Sequence, residues 1–383
     1  MKRDPGGLIG ADAGILRKFT TSWGFGPSNP NLKPAMKGFV SSRLHPLANL
    51  ALLLVLLIAT ACLSMLLIAI TSNLLYGVGL TALGNVQQQP SNYANGWQIS
   101  MLSQGLLLLG AFGGAAVALV KLTGYDLAEY FAPRRRVPAG WLLLAAVLIV
   151  ASLPAMSVLI AWNADLHLPE ALAHWEELAR EAEATAQNTI KYLTRFSSPA
   201  RFVVALVVIA VVPAVSEELL FRGVLQRNLV QWANSRHVGV WLAAAIFSAI
   251  HFQFLGFFPR FVLGLLLGYL YEWSGNILVP MAAHFAQNAF QLVLLYAQQR
   301  QWSATDFDPD STEALPWPLV LASLLVCGAL LWYLYQRMQR PFADGPPTEM
   351  HTLGRRGVAV VQAGTPPPPA RTLSHDGVDT TRG

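Results

Sequence analysis

The stretch that decides the fold class is residues 201–223, RFVVALVVIAVVPAVSEELLFRG. Its apolar run is as long as a membrane-spanning helix requires, about 20 residues. Near its end the run contains Glu217, Glu218 and Arg222. An ionisable group inside a bilayer is costly, so such residues are by default candidates for function. The stretch therefore predicts a membrane helix that contributes charged side chains to a functional site.

Composition places the whole chain in the same class. Of its 383 residues, 54% are hydrophobic and 12% are charged, whereas soluble domains have about 25% charged residues. A polytopic membrane protein is therefore predicted. The two cysteines, Cys62 and Cys327, lie in separate apolar runs, which excludes a C-x-x-C metal site and argues against a disulfide framework. No nucleic-acid-binding motif is evident, so the expected partner is the lipid bilayer and not nucleic acid.

Eight segments are predicted as transmembrane helices, and they cover about residues 47–70, 100–120, 140–162, 201–221, 238–254, 258–273, 277–297 and 317–335. The fifth and sixth segments are short and are joined by a tight turn that contains Gly256. The predicted fold is an all-α polytopic membrane protein with about eight transmembrane helices, and the charged residues of 201–223 predict an intramembrane cavity for the functional site.

The distribution of Lys and Arg predicts the orientation of these helices. Twenty of these residues lie in the N-terminal segment, in the connections at 121–139 and 222–237, and in the tail. The connections at 71–99, 163–200, 255–257 and 298–316 hold 4. Because Lys and Arg accumulate on the cytoplasmic side of a membrane, both termini are predicted to be cytoplasmic. Eight spans agree with that parity.

The chain divides into four predicted parts: a basic cytoplasmic segment at 1–46, N-terminal transmembrane helices at 47–139, a core of transmembrane helices at 140–335 that includes the charged stretch, and a disordered cytoplasmic tail at 341–383. Residues 1–46 show no cleavage-site pattern, so no removable signal peptide is predicted. Two external segments are polar. Residues 83–98 are predicted to be a loop, and 169–192 an amphipathic surface helix.

The motif SEELLFRG places its three charged groups unequally around a helix. Glu218 and Arg222 are four residues apart and share a face, so they can form an ion pair. Glu217 points about 100° away and has no partner in its own helix. Burial disfavours the charged form of an unpaired carboxylate, which suits a general base. The alternative is an ion pair that only joins helices.

Two further motifs place polar residues one helical turn apart. In FSAIH, Phe247 and His251 share a face, and the aromatic ring is expected to pack while the histidine is either catalytic or a satisfied core residue. In HFAQN, His284 and Asn288 share a face. They could bind a metal or stabilise a developing oxyanion, or they could form a polar clamp between helices.

Depth in the membrane links these motifs. Glu217 lies roughly 24 Å along its helix from Arg201, and His251 lies roughly 20 Å from the opposite side, at about 1.5 Å per residue. The two depths approach each other if the fourth helix continues to about Trp232. We therefore predict a long fourth helix and an intramembrane site in a cavity open to cytoplasmic water.

The three motifs, in this order on hydrophobic helices, resemble those of the CPBP (abi) family, which includes the type II CAAX prenyl endopeptidases. The family pattern is E-E-x-x-x-R, then F-x-x-x-H, then H-x-x-x-N, and the chain matches each position. The resemblance implies that Glu217 and His251 activate the attacking water, with His284 and Asn288 stabilising the oxyanion or helping to hold a metal. Glu218, Arg222 and Phe247 would support them.

The resemblance leaves the cofactor and the substrate open. A catalytic zinc usually has three protein ligands, and Glu217, His251 and His284 could supply them for zinc or another divalent metal. A metal-free mechanism in which the glutamate activates water uses the same groups. The expected substrate is a peptide or membrane protein, lipidated (CAAX-like) or not, at a bacterial cell (inner) membrane. A non-proteolytic scaffold or immunity protein and a proton-coupled transporter remain as alternatives.

Overall fold

The computed structural model describes residues 39–40, 44–133, 136–253, 256–302 and 313–338. In these residues the chain is helical and contains no strand, which confirms the predicted all-α class. Twelve helices occur in the described chain. They are α1 (Pro46–Tyr76), α2 (Leu80–Gln88), α3 (Gly96–Leu122), α4 (Leu127–Phe131), α5 (Ala139–Ala151), α6 (Leu153–Ala164), α7 (Ala173–Leu193), α8 (Pro199–Ala233), α9 (Arg236–Ala249), α10 (Phe257–Ser274), α11 (Leu278–Gln299) and α12 (Trp317–Met338).

Five of these helices, α1, α3, α8, α11 and α12, are long and apolar enough to cross a membrane. The pair α5 and α6 meets the same criteria together and is bent by 42°, so up to six spans are supported. The two remaining predicted spans correspond to α9, which has 14 residues, and α10, which contains Arg260 and Glu272. The described structure is therefore that of a membrane protein, and the count of eight spans stays a prediction.

The long fourth predicted span is confirmed as α8, which has 35 residues. Its start follows the usual rules for helix N-termini: the Ser198 side chain accepts a hydrogen bond from the Arg201 backbone N–H, and Pro199 stands at the first helical position. The helix ends at Ala233, and the residue that caps it, Asn234, has a left-handed φ of 50°. Ser235 then caps α9. This turn sends α9 back along α8.

Helix α8 contains two π-helical segments, Leu206–Val211 and Leu219–Gln226. π-helical turns are rare and are found frequently at functional sites. Between them lie Pro213, which has no backbone N–H to donate, and the two adjacent glutamates. The wider turns on either side change the direction of the side chains, so the face predicted for a regular helix holds only locally.

The second half of helix α8 lies inside the bundle, whereas several valines of its first half are exposed. It contacts α3, α9, α10 and α11, and a cluster around Phe221, Phe247 and Tyr271 fills the space between these helices. Helices α1 and α12 lie at the periphery and expose large apolar side chains such as Leu66 and Leu325. In a membrane protein such surfaces face lipid. The charged residues of α8 are therefore separated from lipid by other helices.

Contacts between connections define the two ends of the bundle. At one end, Trp97 Nε1 donates to Leu193 O at 2.8 Å, and Gln299 Nε2 donates to Thr194 O at 2.9 Å. At the other end, the Ile277 N–H donates to Phe131 O at 3.2 Å. The segments predicted to be external thus share one end of the molecule.

Aromatic side chains are concentrated near both ends. Tyr269 accepts hydrogen bonds from Trp241 and pairs with His237 at one end, while Tyr296 stacks on Phe202 at 4.3 Å at the other. Trp and Tyr are enriched at the two membrane–water interfaces. This arrangement supports a bilayer between the two aromatic bands.

One predicted loop is wrong in part. Residues 83–98 include the second half of α2, a short 3₁₀ turn at Pro90–Asn92 and the first residues of α3. The uncharged polar sequence of this segment gave no apolar period, yet Leu83 and Val86 pack in a small core with Ile68 and Ile99. The predicted amphipathic helix at 169–192 is confirmed as α7. Most of the 1–46 segment and the 341–383 tail lie outside the described residues.

Candidate active site

Glu218 is the most buried acid of the site, with no exposed surface. Its Oε1 atom accepts hydrogen bonds from Arg222 Nη1 at 2.7 Å and pairs with His284 Nδ1 at 2.8 Å. The predicted ion pair between Glu218 and Arg222 is therefore present. A buried carboxylate requires partners of this kind, because an unpaired buried charge is strongly unfavourable.

His284 bridges the two glutamates. A carboxylate oxygen only accepts, so Nδ1 carries the proton that it shares with Glu218. The opposite ring atom, Nε2, lies 3.9 Å from Glu217 Oε2. Both side chains are buried, at 4% and 7% exposure. A gap of this length is too long for a direct hydrogen bond.

The ring of Phe247 packs against the Arg222 guanidinium and against both histidine rings of the site. The Arg222 guanidinium lies 4.6 Å from the ring centroid. The rings of His251 and His284 approach the same ring edge-on, with centroids 5.2 Å and 6.2 Å away. Phe221 packs against Phe247 as well. The predicted packing role of Phe247 fits this geometry, and the ring brings both histidines to one place.

His251 lies just beyond the end of α9 and is partly exposed. Its Nδ1 atom donates to the carbonyl of Phe247 at 2.8 Å. A carbonyl oxygen only accepts, so this contact leaves Nε2 as the free acceptor of a neutral ring. The ring is thereby oriented by its own helix end.

Two side chains of α8 hold α10 in register with the site. Arg222 Nη2 donates to Gly264 O at 3.2 Å, and Gln226 Nε2 donates to Gly268 O at 3.1 Å. Donors four residues apart thus meet acceptors four residues apart. A Cβ atom at Gly268 would lie 2.8 Å from Gln226 Oε1, so a larger residue there would force the Gln226 side chain to shift.

Gln226, Gly264 and Gly268 were not predicted from the sequence to belong to the site. The signal was available, because GLLLG at 264–268 is a G-x-x-x-G pattern of the kind that lets membrane helices approach closely. Gln226 also donates to Glu272 Oε1 at 3.0 Å. The polar contacts of α8 therefore extend one turn beyond the motif residues.

Asn288 contacts the backbone of α8. Its Nδ2 atom donates to Ile209 O at 3.2 Å. In a regular α-helix this carbonyl would accept from residue 213, which is a proline and has no N–H. Asn288 therefore satisfies a carbonyl that Pro213 leaves without its usual donor. One of its two amide protons is used in this contact.

The described structure does not gather a three-ligand metal set. Among the described residues, no three His, Cys, Asp or Glu side chains are grouped so that they could hold a metal ion. Glu217 and His284 are neighbours, but His251 does not join them as a third ligand in the described geometry. The metal dependence of this chain stays a prediction.

Comparison with known proteins gives a match over the segment that contains the residues described above. Residues 199–290 match the family model described as type II CAAX prenyl endopeptidase Rce1-like, which confirms the resemblance inferred from the three motifs. The chain is also similar to the uncharacterized protein YpbD of Bacillus subtilis (strain 168). The two share 45% identity over 80 residues, which is 20% of this chain and 38% of that protein. No solved structure matches.

Proposed function

We propose, on the premise that residues 199–290 form an Rce1-like domain, that this chain is an intramembrane endopeptidase. Its substrates would be membrane-associated or lipidated (CAAX-like) proteins or peptides, and it would lie in the cell membrane with both termini cytoplasmic. The observation that carries the proposal is the pair Glu217 and His284. These side chains face each other across 3.9 Å in a buried site, while Glu218 holds the far side of the imidazole.

Charge balance supports a division of roles. Glu217, Glu218 and Arg222 together carry one net negative charge when both acids are ionised. A protonated His284 would bring this buried group to neutrality, and neutrality lowers the cost of burying charge. Glu217 would then be free to take a proton, and His284 Nε2 would donate a hydrogen bond to an oxyanion.

The reaction follows from these roles. Water between Glu217 and His284 attacks the carbonyl carbon as Glu217 takes its proton, so a C–O bond forms and the carbonyl oxygen becomes an oxyanion. When the tetrahedral intermediate collapses, the C–N bond breaks and Glu217 returns the proton to the leaving amine. His251 would help to activate the water through its free Nε2. Asn288 would assist the oxyanion with its second amide proton.

The test is turnover of a fluorogenic peptide with a C-terminal CAAX sequence by the purified protein in proteoliposomes. Glu217→Gln keeps the shape and removes the base. We expect its turnover to fall by at least about 10²–10⁴-fold, the usual contribution of a general base. Glu170→Gln is the matched control, since Glu170 is exposed and lies in the connection between α6 and α7. Its turnover should equal that of the wild type.

Two further arms of the experiment define the substrate and the metal. Comparison of farnesylated and unmodified peptides shows whether lipidation is recognised. A chelator that abolishes turnover, with recovery on added zinc, would establish the metal that the described geometry does not require. Turnover of the peptide by Glu217→Gln at the wild-type rate would overturn the mechanism. Absence of turnover by the wild-type protein with every peptide would favour the transporter or scaffold alternatives.

A further inference from the structure

Helix α7 lies at the boundary of the membrane-spanning bundle, because both of its ends are tied to spans. Arg180, in the first half of α7, donates through Nη2 to Leu166 O at 3.0 Å, and Leu166 lies two residues beyond the end of α6. Leu193, the last residue of α7, accepts through its carbonyl oxygen from Trp97 Nε1 near the start of α3. Only five residues separate α7 from the first residue of α8. The helix is therefore held near the level at which α3, α6 and α8 begin or end.

The side chains of α7 form three faces. The inner face is polar: Glu176 and Glu183 are buried and Arg180 is half-buried. A second face presents the exposed acids Glu177 and Glu181. The third face is an apolar stripe at helical spacing whose members are all exposed: Ala171 in the turn before the helix, then Trp175, Leu178 and Ala182. Trp175 is 65% exposed and Leu178 is 43% exposed.

These observations point to a surface that the proteolytic site does not use. We propose that α7 is an interfacial helix whose apolar stripe lies in the headgroup region of the lipid bilayer. A helix of this kind has one apolar side with Trp or Leu, one strongly polar side and a position in the plane of the interface. Indole rings such as that of Trp175 are favoured at this depth, since one edge is apolar and one is a donor.

The net charge of α7 indicates which interaction would hold the helix at the membrane interface. The helix contains four glutamates and two basic residues, Arg180 and Lys191. Its net negative charge gives no attraction to anionic lipid. The stripe must therefore bind through burial of apolar surface, and the binding should be the same on zwitterionic and anionic membranes.

The inner face connects this helix to the site. Glu183 lies close enough to Arg260 of α10 for an electrostatic interaction. Arg260 Nη2 in turn donates to Gln253 Oε1 at 2.5 Å, and Nη1 donates to Gln253 O at 3.3 Å. Gln253 follows His251 by two residues. A bilayer-anchored α7 thus braces the segment that presents His251.

The test is depth-dependent quenching on the full chain in proteoliposomes. Cys62 and Cys327 are replaced by serine, and single cysteines carry an environment-sensitive fluorophore at positions of the stripe (Trp175→Cys, Leu178→Cys) or of the acidic face (Glu177→Cys, Glu181→Cys). The vesicles contain phosphatidylcholine with a nitroxide near the headgroup, with or without phosphatidylglycerol. Circular dichroism and elution volume establish that each variant is folded.

We expect the probes at 175 and 178 to be quenched at least twofold more than those at 177 and 181, in both lipid mixtures. Equal quenching of the two pairs, or stronger quenching at 177 and 181, would overturn the proposal. Quenching at 175 that occurs only with phosphatidylglycerol would also overturn it, because the stripe is uncharged. The readout does not depend on proteolysis, so its outcome is independent of the proposed function.

Discussion

At the scale of the residue, the site depends on how Glu218 is satisfied. Arg222 and His284 share its Oε1 atom, while Oε2 has no hydrogen-bond partner among the described residues. Both groups that compensate the charge of the carboxylate therefore contact the same oxygen atom, Oε1. Both partners also contact other parts of the site: Arg222 binds Gly264 O and lies over Phe247, and His284 faces Glu217.

The first prediction concerns Arg222. Replacement of Arg222 by Ala leaves a buried Glu218 without its cation, and breaking a buried pair in this way costs about 3–5 kcal/mol. We expect a lower yield of folded protein and a lower melting temperature in detergent. Arg222→Lys restores the charge but not both hydrogen bonds, so it should recover only part of the stability. A wild-type melting temperature for Arg222→Ala would contradict the pairing.

The second prediction concerns Gln226, which sequence analysis did not select. Gln226→Leu removes the donor to Gly268 O and leaves the Glu272 carboxylate without it. A buried acceptor that loses its partner costs about 1–3 kcal/mol. The measurement is the free energy of unfolding, with Gln187→Leu as the control, since Gln187 is exposed on α7. Equal stability of the two variants would show that the contact with α10 contributes nothing.

The pairing of Glu218 with Arg222 could be predicted from sequence because both residues belong to one helix and a spacing of four fixes their faces. The contact between Glu218 and His284 could not. These residues are 66 positions apart, and their meeting depends on the relative rotation of α8 and α11, which local spacing does not specify. The π-helical turn after Glu218 changes that rotation again.

At the scale of the element, the third prediction tests why α8 contains a proline in its middle. Pro213→Ala returns a backbone donor to Ile209 O, so the amide of Asn288 becomes less necessary there. Asn288→Ala should then destabilise the Pro213→Ala protein less than it destabilises the wild type. A double-mutant cycle should give a coupling of roughly 0.5–3 kcal/mol, the range for residues in contact.

The same four proteins separate the two roles of Asn288. If its amide also stabilises the oxyanion, Asn288→Ala reduces turnover by roughly 10²–10³-fold in both backgrounds. If it only supports the backbone of α8, the loss of turnover shrinks together with the loss of stability when residue 213 is alanine. Additive stability changes in the cycle would exclude the contact with Ile209 O as a source of stability.

The fourth prediction concerns the connection between α6 and α7. The backbone N–H of Leu168, followed by the side chains of Arg180 and His167, lowers the pKa of Glu176 to about 2. Since the pKa is lower in the folded state than the usual 4.5, this contribution to stability is present above pH 4.5 and is lost as the pH falls towards 2.

We therefore expect the hydrogen-exchange protection factor of the Leu168 amide to decrease over that pH window. Glu176→Gln keeps an accepting oxygen but does not titrate, so the protection of Leu168 in this variant should not change with pH over the window. The neighbouring exposed substitution Glu177→Gln should behave as the wild type. Protection that is independent of pH in the wild type would mean that the Leu168 amide is held by a group other than Glu176.

At the scale of the whole molecule, composition and apolar run length were sufficient to predict a helical membrane protein, and the periodicity of 169–192 was sufficient to predict α7. The number of spans was not predictable to the same degree. Helix α9 has only 14 residues, α10 contains Arg260 and Glu272, and both helices pack against α8. Part of their apolar surface is buried in these contacts, although α9 still exposes Val238, Trp241, Leu242 and Ile246. A count based on hydropathy does not separate side chains that pack inside the bundle from those that face lipid.

The fifth prediction is the orientation of the bundle in the membrane. The end that holds Trp97, Leu193 and Gln299 belongs to connections with few basic residues, and the opposite end belongs to the basic connections. Because Lys and Arg favour the cytoplasmic side, the end with Trp97 should be external. Single cysteines in a cysteine-free chain should therefore react with a membrane-impermeant maleimide on intact cells at Asn92, in the 83–98 segment, or in the 303–313 segment, most of which lies outside the described residues. Cysteines at Arg136 or in the 341–383 tail should react only after the cells are lysed.

This measurement also decides which side of the membrane the site communicates with. Sequence analysis predicted a cavity open to cytoplasmic water, whereas the polar contacts from Gln253 through Arg260 to Glu183 lead towards α7, at the end predicted to be external. A cysteine at Gln253 that reacts on intact cells would show access from the external side, and one that reacts only after lysis would show access from the cytoplasm. Labelling of Asn92→Cys only in lysed cells would reverse the whole orientation, since the connections at each end of the bundle are held together by the contacts above and must change sides together.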